Sequence, residues 1–170
     1  MAAFVVAALA AAAFIFTNQG GGSRIAMPPS IAGAQRIVSP QAQQVEAQIV
    51  QLAKRNGVNG KAGFYGIEGF PTFAVVGFDY HISEEESPEV IFRQFSNGVA
   101  SANGASVDMS TLTNENLAGT TYICARVRGN VPGSVCMWSE TDVVGFVLAI
   151  RQGVKNAKAL TTTVQTAIEN

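Results

Sequence analysis

Thr120-Thr-Tyr-Ile-Cys-Ala-Arg-Val-Arg128, Gly129-Asn-Val-Pro-Gly133 and Ser134-Val-Cys-Met-Trp-Ser139 read together as a β-hairpin, and this hairpin decides the fold class. Both arms are rich in β-branched and aromatic residues, and the segment between them carries the Gly, Asn and Pro of a turn. A turn centred on Asn130 sets Cys124 opposite Cys136, Tyr122 opposite Trp138, Arg126 opposite Ser134 and Ile123 opposite Met137. Side chains alternate along a strand. Ile123, Ala125, Val127, Val135 and Met137 therefore share an inward face, and Tyr122, Cys124, Arg126, Cys136 and Trp138 share the other.

Cys124 and Cys136 are the only cysteines. A redox pair is usually spaced Cys-x-x-Cys near a helix start, and a zinc site needs more ligands than two cysteines and one distant histidine. The register instead predicts a structural disulfide. Closing a loop of this length stabilises a domain by about 3 kcal/mol in the chain-entropy treatment. Such bonds persist outside the reducing cytosol, so the pair also predicts an oxidising compartment.

Eleven basic and twelve acidic residues leave a net charge of -1, without the clustered Lys and Arg that phosphate backbones require, so no nucleic-acid partner is expected. Met1 to Phe16 carries no charge at all. As a helix it would span about 24 Å, short of a hydrocarbon core of roughly 30 Å. Residues 1–17 are read as a membrane anchor. The alternatives are a signal peptide cleaved near Ala11-Ala12-Ala13 and a buried soluble helix; no basic residue precedes the run, as a signal peptide would ordinarily show. Residues 18–26, with Gly20-Gly21-Gly22-Ser23, form a flexible linker by composition, and residues 27–170 form the folded domain.

Within that domain Ser39-Pro40 opens a helix with Ala42, Val45, Ile49 and Leu52 on one stripe and Gly57 at its end. Strands follow at Ala62–Ile67 and Thr72–Tyr80, the second apolar on both faces and therefore central. Ser87-Pro88-Glu89 opens another helix, which Asn97-Gly98 should end. Ala100 to Asn116 reads as a polar surface loop with a short strand or turn inside it. After the cysteine hairpin, Val143–Ile150 is a central strand, and Val154, Ala157, Leu160, Val164 and Ile168 mark a last helix. The expected fold is α+β: a mostly antiparallel five-stranded sheet with packed helices, in the order α-β-β-α-β-β-β-α, preceded by an N-terminal apolar helix.

Few residues offer chemistry. His81, the only histidine, could act as a base with Glu84 or Glu86, against the plainer reading of a strand end followed by a solvated acidic loop. Glu84-Glu85-Glu86 lacks the alternating oxygen ligands of a calcium loop. No nucleophile-elbow, zinc-protease or phosphate-loop pattern occurs, so no enzyme activity, catalytic residue, metal or cofactor is expected. Tyr122, Arg126 and Trp138 would form a candidate binding face if no helix covers them; otherwise Trp138 is core.

Met27-Pro28-Pro29-Ser30-Ile31-Ala32-Gly33, Ser87-Pro88-Glu89, and Cys124 with Cys136-Met137-Trp138-Ser139-Glu140 followed by Val144-Gly145 carry a resemblance over residues 24–170. The chain resembles a group of uncharacterised actinobacterial single-pass membrane proteins with a small disulfide-containing extracytoplasmic domain. The resemblance implies a tethered domain outside the cytoplasm and no particular activity. The expected role is a membrane-tethered binding or interaction domain for a protein or glycan partner at the cell surface. The alternative is a secreted domain released by signal peptidase, and the third reading is a hydrolase using His81.

Overall fold

The structure, a computed structural model, describes residues 24–83 and 85–169, with backbone alone at 99–103. The predicted apolar helix lies outside these residues, among which no helix is long and apolar enough to cross a membrane. The elements are β1 (Ser30–Ile31), β2 (Ala34–Arg36), α1 (Pro40–Arg55), β3 (Asn59–Ile67), β4 (Phe70–Asp79), α2 (Pro88–Asn103), β5 (Ser106–Leu117), β6 (Thr120–Arg128), β7 (Gly133–Ser139), β8 (Val143–Ile150) and α3 (Val154–Ile168). One eight-stranded sheet runs β1-β2-β3-β4-β8-β7-β6-β5, every neighbouring pair antiparallel.

The α+β class stands, but the five-stranded sheet does not. Two of the additional strands are the small hairpin β1–β2, too short to leave a periodic signal. The third is β5, a strand of 12 residues in the stretch expected to be a loop with at most a short strand or turn. Its polar composition is that of an edge strand with mostly exposed side chains, and its register shifts between Asp108 and Thr113. Helix α2 also runs past Asn97-Gly98 and ends at Gly104, in the left-handed conformation with φ +59°. The tight turns at Glu68-Gly69 and Ala118-Gly119 have positive φ at both residues, the geometry that matches the twist of a hairpin.

Local signals place the helices as the residues suggest. Ser39 Oγ accepts from Ala42 N–H at 3.1 Å, and Ser87 Oγ accepts from Glu89 N–H at 3.3 Å, each with Pro at the first helical position. Strands β4 and β8 are indeed central, and they pair with each other from Phe73–Ala149 to Asp79–Val143. Helices α1 and α2 cover one face of the sheet. Ala42, Val45 and Ile49 pack there with Ile91, Phe92 and Phe95 over Phe64, Phe78, Met137 and Phe146. Helix α3 covers the other face through Ala157, Val164 and Ile168. That second face is completed by the chain entering the domain. Arg24–Ala26, read as the end of the linker, are built into it: Arg24 N–H donates to Asp79 Oδ1 at 3.0 Å, and Ala26 N–H donates to Ile168 O at 2.7 Å. Ile25 lies against Gly77, where a Cβ would stand 2.7 Å from its Cδ1.

Candidate functional site

The cysteine hairpin has the register read from the sequence, with Cys124 opposite Cys136 and Tyr122 opposite Trp138. The cysteines are joined by a disulfide with Cα atoms 4.1 Å apart. The alternate face does not form an open surface. Helix α3 lies over it, leaving Trp138 at 0 % and Tyr122 at 6 % exposure, while Arg126 stays at the surface. The Trp138 indole occupies the space above Gly145, where an added Cβ would come within 2.0 Å of the ring. Its Nε1–H donates to Glu169 Oε1 at 2.5 Å.

The polar tips on this face are tied into a network rather than left for a ligand. Tyr122 O–H donates to Gln165 Oε1, Gln165 Nε2 donates to Glu140 Oε1 at 2.7 Å, and Thr120 O–H donates to the same oxygen at 2.8 Å. A buried amphipathic ring needs such partners to offset desolvation. Burial raises the Glu169 carboxyl above its ordinary value, outweighing the Trp138 hydrogen bond that lowers it.

His81 pairs with neither expected glutamate. Glu84 lies outside the described residues, and Glu86 accepts from Tyr80 O–H at 2.5 Å. His81 Nδ1 instead lies within hydrogen-bond distance of Asp142 Oδ1, at 2.8 Å, with the histidine side chain 61 % exposed. The imidazole hydrogen bond holds Asp142 below the usual carboxylate range, with Arg24 adding to the effect. No group of three or more His, Cys, Asp or Glu side chains able to hold a metal occurs among the described residues.

Among the described residues, a concave feature lies elsewhere, at the β3 edge. An open cleft of about 550 Å³ is lined by Ala26 and Met27, Arg36 of β2, Gln43, Glu46, Ala47 and Val50 of α1, and Lys61 and Ala62 of β3. The four α1 residues recur at three- and four-residue spacing, so they form one stripe beside the buried stripe of Ala42, Val45, Ile49 and Ala53. Arg36 spans the cleft. Its Nη2 donates to Glu46 Oε2 at 2.7 Å and its Nη1 to Met27 O at 3.4 Å. The pair is largely shielded, with side-chain exposures of 30 % for Arg36 and 14 % for Glu46. Glu46 Oε1 is buried with no hydrogen-bond partner among the described residues. Nearby, Tyr65 O–H donates to Pro28 O at 3.0 Å, and burial pushes its phenol up to about 12.

Sequence reasoning missed all of these cleft residues. Gln43, Glu46, Ala47 and Val50 could have been found as a second helical stripe, but the cleft itself depends on contacts far apart in the chain. No family model, curated protein or solved structure matches this chain.

Proposed function

We propose that the protein is a membrane-tethered, extracytoplasmic binding domain with its ligand site in the cleft between β3, α1 and Ala26–Met27. The observation that carries the compartment is the Cys124–Cys136 disulfide, closed and fully buried beneath α3. The uncharged run before residue 17 supports the tether. The cleft supports binding because it combines apolar walls with a few placed polar groups, Arg36, Glu46 and Lys61. The partner is a molecule presented at the cell surface.

Intact-mass measurement on native protein from membrane and culture-medium fractions tests this reading. Full-length mass in the membrane fraction, increasing on reduction by the hydrogens of one opened disulfide, is the expected result. A shortened mass in the medium would replace the tether with secretion. A reduced pair in a cytosolic fraction would overturn the compartment altogether.

A further inference from the structure

The hydrogen-bonded cover on β3 stops partway along the strand. Hairpin β1–β2 pairs with its far end through Gln35–Gly66 and Arg36–Tyr65, and Ile37 N–H donates to Phe64 O at 2.7 Å. After Ile37 the chain departs for α1. Strand β3 continues beyond this point, and from Gly60 to Gly63 its strand neighbour among the described residues is β4.

Backbone groups in an antiparallel strand point alternately to its two neighbours. Phe64 turns its carbonyl toward the β2 side, so Ala62 and Gly60 turn their N–H and C=O groups the same way, away from β4. Ala62 lines the cleft, and Gly60 is the next residue along β3 with the same outward-facing backbone. The α1 stripe forms one wall and Ala26–Met27 the other. Gln43 to Val50 extends about 10 Å, room for about three residues of strand. Lys61 is exposed at the mouth, and Arg36 closes the end where β2 stops. Glu46 Oε1, in the same wall, is an acceptor short of a donor.

We infer that this cleft takes an extended peptide from a partner protein, added as a strand to β3 in line with β2 and carrying an acidic side chain opposite Lys61. Main-chain hydrogen bonds to Ala62 and Gly60 supply the affinity, and side-chain contacts to the cleft walls supply the selectivity. Charge complementarity favours acid: Lys61 is the exposed charge at the mouth, whereas Glu46 faces inward and is engaged by Arg36. This inference rests on the binding-domain reading and narrows it to one ligand class.

The test titrates the isotope-labelled full chain, held in detergent micelles, with short synthetic peptides alternating valine with glutamate or valine with lysine. The glutamate peptide is also made with one or the other alternating set of its amides N-methylated. The glutamate peptide should shift the Ala62 and Gly60 amide resonances and slow their exchange. One N-methylated set should abolish binding while the other leaves it intact. Lys61→Glu should weaken the glutamate peptide about tenfold and favour the lysine peptide, from one attraction lost and one repulsion gained. Equal binding by both N-methylated peptides would overturn strand addition while leaving a side-chain site in the cleft. Protection of Ala62 that rises with protein concentration alone would make a second copy the occupant and overturn the peptide. Absence of binding by every peptide would overturn the inference, whereas the compartment and tether stand or fall on the mass measurement.

Discussion

The two faces of the sheet are closed in different ways, and the cleft lies where their coverings fail to meet. Under α1 and α2 the contacts are almost wholly apolar, with Phe95 stacked on Phe146 at a centroid distance of 3.8 Å. Under α3 the packing is mixed: a disulfide, an indole set against a glycine, and a chain of hydrogen bonds from Tyr122 through Gln165 to Glu140. The first covering reaches the β3 edge as the side of α1, and the second reaches it as Ala26–Met27. The hairpin β1–β2 bridges the gap only at one end. At the opposite edge, β5 needs no such covering. Its polar, exposed side chains and shifted register blunt it against pairing, and Asp108 is held by Arg128 Nε at 3.0 Å. The β3 edge is recessed instead of blunted, which protects it from casual association while leaving it usable.

The largest expected effect falls on the apolar face. Phe92 is fully buried and has only packing to lose, so Phe92→Ala should cost about 3–5 kcal/mol, measured by denaturant unfolding. On the α3 face, replacing Cys124 and Cys136 together with Ala should cost about 3 kcal/mol and lower the Tm while leaving the sheet intact. An unchanged melt would mean that α3 alone closes this face. Gly145→Ala should cost about 1–3 kcal/mol by forcing the Trp138 ring to move, with a change in indole fluorescence that Phe92→Ala does not share.

The smallest effect is a pH dependence confined to the polar face and the sheet margins. Burial raises Glu169 above its ordinary 4.5, so its ionised form is disfavoured in the folded state. Its penalty is absent below 4.5 and sets in as pH rises through the folded value. Glu169→Gln should flatten that decline in a pH series of melts. Asp108 and Asp142 work in the opposite sense. Ser110 and Arg128 lower the first, and His81 lowers the second, below their ordinary 3.8. Their stabilisation is present above 3.8 and disappears as pH falls through the folded values.

The cysteine hairpin was legible because its turn, its alternation and its paired cysteines all specify one register. The central strands were legible because both faces of Thr72–Tyr80 and Val143–Ile150 are apolar. What covers Trp138 was not legible, since it depends on where a helix starting at Val154 returns to the sheet. Gly98 misled because a single glycine inside a helix costs only about 1 kcal/mol and need not end it, and Gly104, not Gly98, takes the left-handed conformation. Strand β5 was hidden because edge-strand composition overlaps that of a loop. Ala32-Gly33 turns a hairpin with strands too short for any periodicity. Arg36, Glu46 and Lys61 stand far apart in sequence, and only the partial cover on β3 brings them to one cleft.

Backbone amide hydrogen exchange along β3, on dilute full-length protein without added peptide, tests the incomplete cover most directly. The account predicts alternating protection: Lys61 and Gly63, turned toward β4, exchange slowly, while Gly60 and Ala62, turned toward the cleft, exchange fast. Uniformly slow exchange from Gly60 to Gly63 would mean that the edge is already paired, and would contradict an open slot for a partner strand.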